Sequence, residues 1–396
     1  MSLRLRIHKF KKKIRNDISH SKVHEYFNDD NPKTRLRHLC KAGYAGELQL
    51  QKKHFCQKEN YPIDFVVTWV DGNDSTWLQK KEEYAKKLSV AQRGSNPKAR
   101  YRDWGYFPYW FRAVEKYAPW VNKVFLVTNG QIPSWIKTDC PKLRIVTHEE
   151  FIPSEFLPTF SCRPIELNLW RIADLSEHFV YFNDDVFLNQ SVKKEDFFFN
   201  GFPQFYVNTR PIFTHDTMST YEHALLNNLG LCNSSFNLRH VMEQNPTKWF
   251  SSKYGERVEY NKRVYLDNRL SGLHSSHLWF SYRKSSMEQC CEEFSKAVYA
   301  TCMNKFRDYT DINSQIFQLW DLLHNTFEPL AQEPGESWNI NKENLSGISL
   351  SLVNEKLKVV CLNDNEYIAD DEFNFLRDSV DNLLNQKLTF KSCFEK

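Results

Sequence analysis

Asn183-Asp184-Asp185 is the sharpest concentration of chemistry in the chain. Two adjacent carboxylates and an amide offer only oxygen ligands. Hard divalent cations such as Mg2+ or Mn2+ take that set, commonly while bridging substrate phosphates. Adjacent carboxylates in an apolar setting repel each other, and a cation removes that cost. Apolar runs flank the triplet, Phe179 to Phe182 before it and Val186 to Leu188 after it. They favour a metal site over a solvated turn, which Asn and Asp would also suit. Asp71-Gly72-Asn73-Asp74 is a second polar turn that could receive the base, ribose or diphosphate of a nucleotide. It lacks the further ligands and closing Glu of a calcium loop, and it also fits a plain strand-to-helix turn. His277, within His277-Leu278-Trp279-Phe280-Ser281-Tyr282-Arg283-Lys284, could be a general base on an acceptor hydroxyl. His274 is its local rival, and a structural histidine is the plainer reading. Arg283 or Lys284 could face phosphate. Arg307 could clamp a phosphate bidentately, with Asp311 orienting it or approaching the metal; a surface ion pair is the alternative.

The elements that must position these residues are legible as runs. Ile63 to Val70 is a β-branched and aromatic stretch read as a buried strand. Further strands are predicted at Lys123 to Thr128, Leu143 to Thr147 and Phe179 to Phe182, with a short one at Val359 to Leu362. Helices are predicted over Trp77 to Leu88, Asp103 to Tyr117, Ile165 to Leu175, Ser286 to Ala300, Ser314 to Leu323 and Asp370 to Lys387. Strands alternating with helices predict an α/β fold, a mostly parallel Rossmann-type sheet with helices on both faces. Ligands of such sheets bind outside the carboxyl ends of the strands. Three strands here end in polar turns, at 71–74, at Asn129-Gly130 and at 183–185, and fold logic brings them to one edge. The predicted organisation is a basic helical N-terminal extension over 1–60 and a catalytic domain over 61–396. Within the latter lie an α/β core (61–200), a loop-rich insertion (201–275) and a C-terminal helical part completing the site (276–396).

Composition narrows the classes. With 396 residues, 41% hydrophobic and 15% aromatic, the chain has enough apolar material for a sizeable core. A net charge of only +4 gives no strong field for a polyanion, and no nucleic-acid partner is expected. The ten cysteines are scattered and form no C-x-x-C pair, which argues for reduced thiols in a cytoplasmic protein over a zinc ribbon. No apolar run reaches the length of a membrane span. The N-terminus carries Arg4, Arg6, Lys9, Lys11, Lys12, Lys13 and Arg15, with Leu3, Ile7, Phe10 and Ile14 at helical spacing. Such a segment suits either an anionic membrane surface, as on the inner face of a cell membrane, or a solvated terminus.

Taken together, these segments resemble the Stealth family. That family comprises bacterial capsular-polysaccharide hexose-1-phosphate transferases and the animal N-acetylglucosamine-1-phosphotransferase that tags lysosomal enzymes. Four blocks resemble its conserved regions in order. The first is Ile63 to Asp74. The second runs from Arg100-Tyr101-Arg102-Asp103-Trp104-Gly105 through Val127-Thr128-Asn129-Gly130 to Asn183-Asp184-Asp185-Val186. The third is His277 to Lys284, continuing to Phe306-Arg307 and Asp311. The fourth is Cys361-Leu362-Asn363-Asp364 and the closing Lys391 to Glu395. The resemblance implies a GT-A-like fold, a UDP-sugar donor, a glycan or polysaccharide acceptor, and Mg2+ or Mn2+. It implies transfer of sugar 1-phosphate with release of UMP. By motif position it makes Asp185, His277 and Arg307 catalytic and Asp184, Asp185 and Asp364 metal ligands. Substrate contacts would come from Asp71, Gly72, Asn73, Asp74, Arg102, Asp103, Asn129, Gly130, Lys284, Asp311 and Asn363. Trp170, where relatives often carry His, and Cys162-Arg163-Pro164 depart from the pattern and bear on donor or acceptor preference. The competing expectations are a glycosyltransferase of the same fold, which would move the sugar alone and release UDP, and a non-catalytic glycan-binding peripheral membrane protein.

Overall fold

The structure, a computed structural model, describes residues 31–53, 60–89, 101–214, 219–364, 368 and 370–396. The basic segment of the first 30 residues lies outside them. The central sheet is built from β1 (Ile63–Thr68), β2 (Val124–Thr128), β3 (Leu143–Thr147) and β4 (His178–Asn183), all parallel. Two short strands, β5 (Val186–Leu188) and β6 (Phe198–Phe199), precede β7 (Phe202–Phe205). Then come β8 (Phe280–Arg283), β9 (Glu328–Pro329), β10 (Gly335–Asn339) and β11 (Val359–Asn363). The main sheet has the order β3-β2-β1-β4-β8, with β8 antiparallel on β4. Two three-stranded sheets, β10-β11-β5 and β6-β7-β9, complete the strand set among the described residues.

The parallel strands are buried on both faces, so they read as continuous apolar runs. Side chains nonetheless alternate between two cores. Phe65 and Val67 of β1, Leu126 of β2 and Phe182 of β4 enter one. Val66, Val127 and Tyr181 enter the other. The first core is covered by α3 (Phe107–Tyr117) and α12 (Asp370–Lys387), through residues such as Trp110, Phe111, Leu376 and Val380. The second is covered by α4 (Cys162–Asn168) and a helical layer from residue 219 onward. Helices therefore lie on both faces, as the alternation of elements predicts. β1 is the point where strand order reverses, with β2 and β3 on one side and β4 on the other. Ligand sites of such sheets lie in the crevice at that reversal.

The segment 201–275 carries far more helix than the loops expected of it. It holds α5 (Thr220–Ser235), α6 (Leu238–Gln244) and α7 (Val258–Asp267), besides shorter turns. Side-chain caps start the first two: Ser219 accepts from the Glu222 N–H at 3.3 Å, and Asn237 from the His240 N–H at 3.2 Å. Helix α5 buries polar Asn228 beside Ala224 and Leu229, which blurs the apolar stripe that would have announced it. The first described helix, α1 (Pro32–Lys53), is docked on this layer. Leu36 and Leu39 enter the core, and Arg35 pairs with Glu243 at 3.3 Å. Downstream, α8 (Lys284–Glu293), α9 (Ser295–Met303), α10 (Gln315–Leu323) and α11 (Leu345–Val353) fill out the body. Where a single helix was read over Ile165 to Leu175, α4 is followed only by a 3-10 turn at Leu169–Arg171.

Candidate active site

A cavity of about 420 Å3 opens at the strand-order reversal, against the carboxyl ends of β1, β2 and β4. Asn183, Asp184 and Asp185 line it, in the turn between β4 and β5. The Asp185 carbonyl accepts from the Leu362 N–H at 2.9 Å, which draws β11 alongside and brings Asn363 and Asp364 to the same wall. Asp364 in turn takes the Arg102 guanidinium at 3.5 Å, tying in the segment that carries Asp103. His277 arrives from the antiparallel edge. Phe280 pairs with Tyr181, so the residues before β8 run past the carboxyl end of β4. Its Nε2 contacts the Asn183 side-chain amide and lies 3.9 Å from Asp185 Oδ1. Arg307 enters from the loop after α9 and donates to Cys162 Sγ at 3.1 Å. Six separate stretches of sequence thus meet in one cleft.

The electrostatics of the cleft are those of crowded acids. Enclosure by the walls, then the Asp185 carboxylate, then Asp103, push the Asp184 carboxyl up to about 8. Burial raises the Asp103 carboxyl as well, and Asp71 adds to the rise. Asp185 Oδ1 is buried without a hydrogen-bond donor among the described residues, a costly state for an anionic oxygen unless a ligand supplies positive charge. These features fit a divalent cation. Asp185, His277 and Cys361 offer ligand atoms within 4.8 Å of one another. Burial, then Asp185, hold the Cys361 thiol above its ordinary range, and a soft sulfur is in any case a poor match for a hard cation. The carboxylates of Asp184, Asp185 and Asp364 all line the cleft and would be harder ligands, but of these only Asp185 belongs to that close group.

Several residues singled out in sequence stand elsewhere. Asp71 to Asp74 do not line the cavity but brace it. The Asp71 N–H donates to Gln131 Oε1 at 2.9 Å, and Asp74 caps helix α2 (Ser75–Lys87) by accepting from the Trp77 N–H at 2.7 Å. Asn73 is exposed, its N–H folded onto Asp71 Oδ1. Gly72 lies under the Tyr101 carbonyl, where a Cβ would come within 1.6 Å of the oxygen. Gly130 turns the chain after β2 at a φ of +101°, which suits glycine. Lys284 is carried to the far end of the sheet, because β8 runs antiparallel to β4 and Arg283 pairs with His178. Its ammonium is bound by the Ile172 carbonyl at 2.8 Å, and Arg283 is held by buried Asp321 at 2.8 Å. Neither faces the cleft. Asp311 serves Arg163, not Arg307, in a buried pair at 2.5 Å. His274 contacts the Pro211 carbonyl at 3.2 Å. Sequence reasoning missed His148, Tyr101, Thr159 and Phe160, which also line the cavity. His148 had a signal: it follows the last residue of β3 directly, on the edge where the other site turns stand.

Fold and cleft together define an α/β protein of Rossmann type with an acid-lined ligand site at its switch point. Residues 61–89 match Stealth protein CR1, conserved region 1, and residues 100–205 match Stealth protein CR2, conserved region 2. The capsular polysaccharide phosphotransferase WcwK of Streptococcus pneumoniae is 39% identical over 84% of this chain and 98% of its own. The receptor polysaccharide phosphotransferase WefC of Streptococcus gordonii is 37% identical over 84% and 98%. The exopolysaccharide phosphotransferase cps2G of Lactiplantibacillus plantarum is 36% identical over 85% and 97%. The chain belongs to the Stealth family, and it is a transferase. Among solved structures, an active-site mutant of LgtC aligns over 80% of this chain and 95% of its own, with 11% identity and a TM-score of 0.32. No helix among the described residues is long and apolar enough to cross a membrane.

Proposed function

We propose that the protein transfers a sugar 1-phosphate from a UDP-sugar to a hydroxyl of a glycan, forming a phosphodiester and releasing UMP, in the synthesis of a capsular or other cell-surface polysaccharide. The observation that carries this reading is the convergence of Asp184, Asp185, His277, Arg307 and Asp364 on one cleft from distant parts of the chain. Relatives named as polysaccharide phosphotransferases support it.

In this reading the acceptor oxygen bonds to the β-phosphorus, and the bond from that phosphorus to the bridging oxygen breaks. The bridging oxygen leaves on UMP. His277 takes the hydroxyl proton with the ring nitrogen that Asn183 does not hold. Asn183 fixes the imidazole, and Asp185 at 3.9 Å stabilises the imidazolium that forms. Arg307 balances charge on the phosphoryl oxygens. A divalent cation held by Asp184, Asp185 and Asp364 would supply charge neutralisation to the diphosphate. The basic N-terminal segment would hold the enzyme at an anionic membrane surface on the cytoplasmic side.

The test is a panel of UDP-sugars with Mg2+ or Mn2+ and a glycan acceptor, with the nucleotide product identified. UMP is expected. UDP as the product would replace the proposal with simple glycosyl transfer, and no metal-dependent turnover of any donor would leave only a binding protein.

A further inference from the structure

We propose that His148 and Asn129 form the subsite that reads the nucleobase of the donor, with uracil as the base it accepts. The inference rests on the nucleotide-sugar reading above and adds the part of the cleft that recognises the base.

The two residues are placed side by side by the sheet. Thr128 of β2 is in register with Thr147 of β3, so the residues that follow, Asn129 and His148, leave adjacent strand ends. Parallel neighbours lie about 4.8 Å apart. Both residues line the cavity, on the wing away from Asp184 and Asp185. From the end of β3 to the end of β4 is three strand spacings, roughly 14 Å. That span lets a base sit at one wing and a diphosphate at the other, joined by the ribose.

His148 is only 8% exposed, yet no hydrogen bond reaches either ring nitrogen from the described residues. Its recorded neighbour is Phe151, edge-on at 6.4 Å. Set in the wall of the cavity, the imidazole is placed to offer its ring nitrogens to a ligand there. Burial holds its pKa down to about 4, so at neutral pH the ring is uncharged, with one nitrogen able to accept and the other to donate. Asn129 has an assigned orientation. Its Oδ1 accepts from the Gln131 N–H at 3.3 Å, which turns Nδ2 the other way as a donor. A donor beside an acceptor matches the carbonyl and N3–H of a uracil edge. Asn129 Nδ2–H meets the carbonyl, and the imidazole accepts from N3–H. Trp69 and Val127 supply apolar walls at the same end.

The test uses the full chain and competitive inhibition of donor turnover by UDP, CDP and inorganic pyrophosphate, which has no base. Asn129→Asp keeps the Gln131 contact and replaces the free donor with an acceptor. His148→Phe keeps the ring packing and removes both nitrogens. Thermal melting confirms folding, and Asn129→Asp, at the less buried position, carries the test if His148→Phe is unstable. Each variant is expected to weaken UDP inhibition about 10-fold, with pyrophosphate inhibition unchanged. Wild-type protein is expected to favour UDP over CDP. Unchanged UDP inhibition in folded variants would overturn the base subsite while leaving the donor reading intact. Equal losses for UDP and pyrophosphate would overturn it too, since the residues would then act on the phosphate end. A wild-type preference for CDP, lost in the same variants, would overturn the choice of uracil and the UDP donor together.

Discussion

The crowding of acids in the cleft predicts that Asp184→Asn makes the metal-free protein more stable at alkaline pH while weakening its response to cation. The Asp184 carboxyl is raised from the ordinary 3.8 to about 8 by enclosure and by Asp185 and Asp103. A carboxyl whose folded pKa lies above its unfolded one keeps a proton that the unfolded chain gives up. Metal-free stability therefore falls as pH rises from the unfolded value to the folded one, and levels off beyond it. Taken at face value the displacement is worth about 6 kcal/mol. Asp184 has substantial solvent-exposed surface, however, and screening reduces the figure to about 1–2 kcal/mol. In the presence of EDTA the variant should melt roughly 1–2 °C above wild type near pH 8 and together with it near pH 4. Added Mg2+ or Mn2+ should raise the wild-type melting temperature at alkaline pH and have less effect on the variant. Coincident melting curves in EDTA across the whole range, or metal-free stability that rises from pH 4 to 8 in wild type alone, would show that the carboxylates do not strain the empty site.

Other perturbations separate the chemistry from its scaffold. His277→Ala should lower kcat by about 100-fold or more with little change in melting, as loss of a general base would; near-wild-type kcat would remove His277 from the reaction. Lys284→Ala should leave the donor KM within about twofold, because the ammonium is bound to the Ile172 carbonyl at the far end of the sheet; a large KM increase would contradict that placement. Arg163→Met leaves Asp311 buried without its cation, and urea denaturation should show a loss of about 3–5 kcal/mol. Gly72→Ala drives a Cβ into the Tyr101 carbonyl and should cost about 3 kcal/mol or more in the same assay, with weaker donor binding because Tyr101 lines the cleft.

The parallel core was legible because its strands are buried on both faces. Ile63 to Thr68 and Val124 to Thr128 have no solvent side to interrupt the apolar run, so strand and strand end are both visible in sequence. Helix α12 was legible because Leu376, Val380 and Leu384 keep one buried stripe. The layer over 201–275 was not, since Asn228 and Asn261 are as buried as the leucines beside them and make their hydrogen bonds to distant segments. The strand at Phe280 to Arg283 is only four residues long and adjoins a helix, so local pattern alone does not separate it from that helix.

The same distinction governs the site. Residues at the ends of buried strands could be found because the strand announces where it stops, and Asn129 and Asn183-Asp184-Asp185 came from that logic. Their partners come from segments whose sequence neighbourhood points elsewhere. Asp311 is four residues from Arg307 and looks like its counter-ion, yet its carboxylate goes to Arg163, 148 positions away. That exchange has a physical reason. Arg163 is almost fully buried at the start of α4 and needs a full negative charge, which Asp311 supplies at 2.5 Å. Arg307 instead faces the cavity, where among the described residues Cys162 takes one of its donors and its Nε has no acceptor. A guanidinium left with unused donors in a cleft is suited to an anionic ligand in a way that one locked to a neighbouring carboxylate is not. The proximity of Asp311 in sequence therefore hid a division of labour: one arginine holds the loop in place, and the other keeps donors turned toward the cleft.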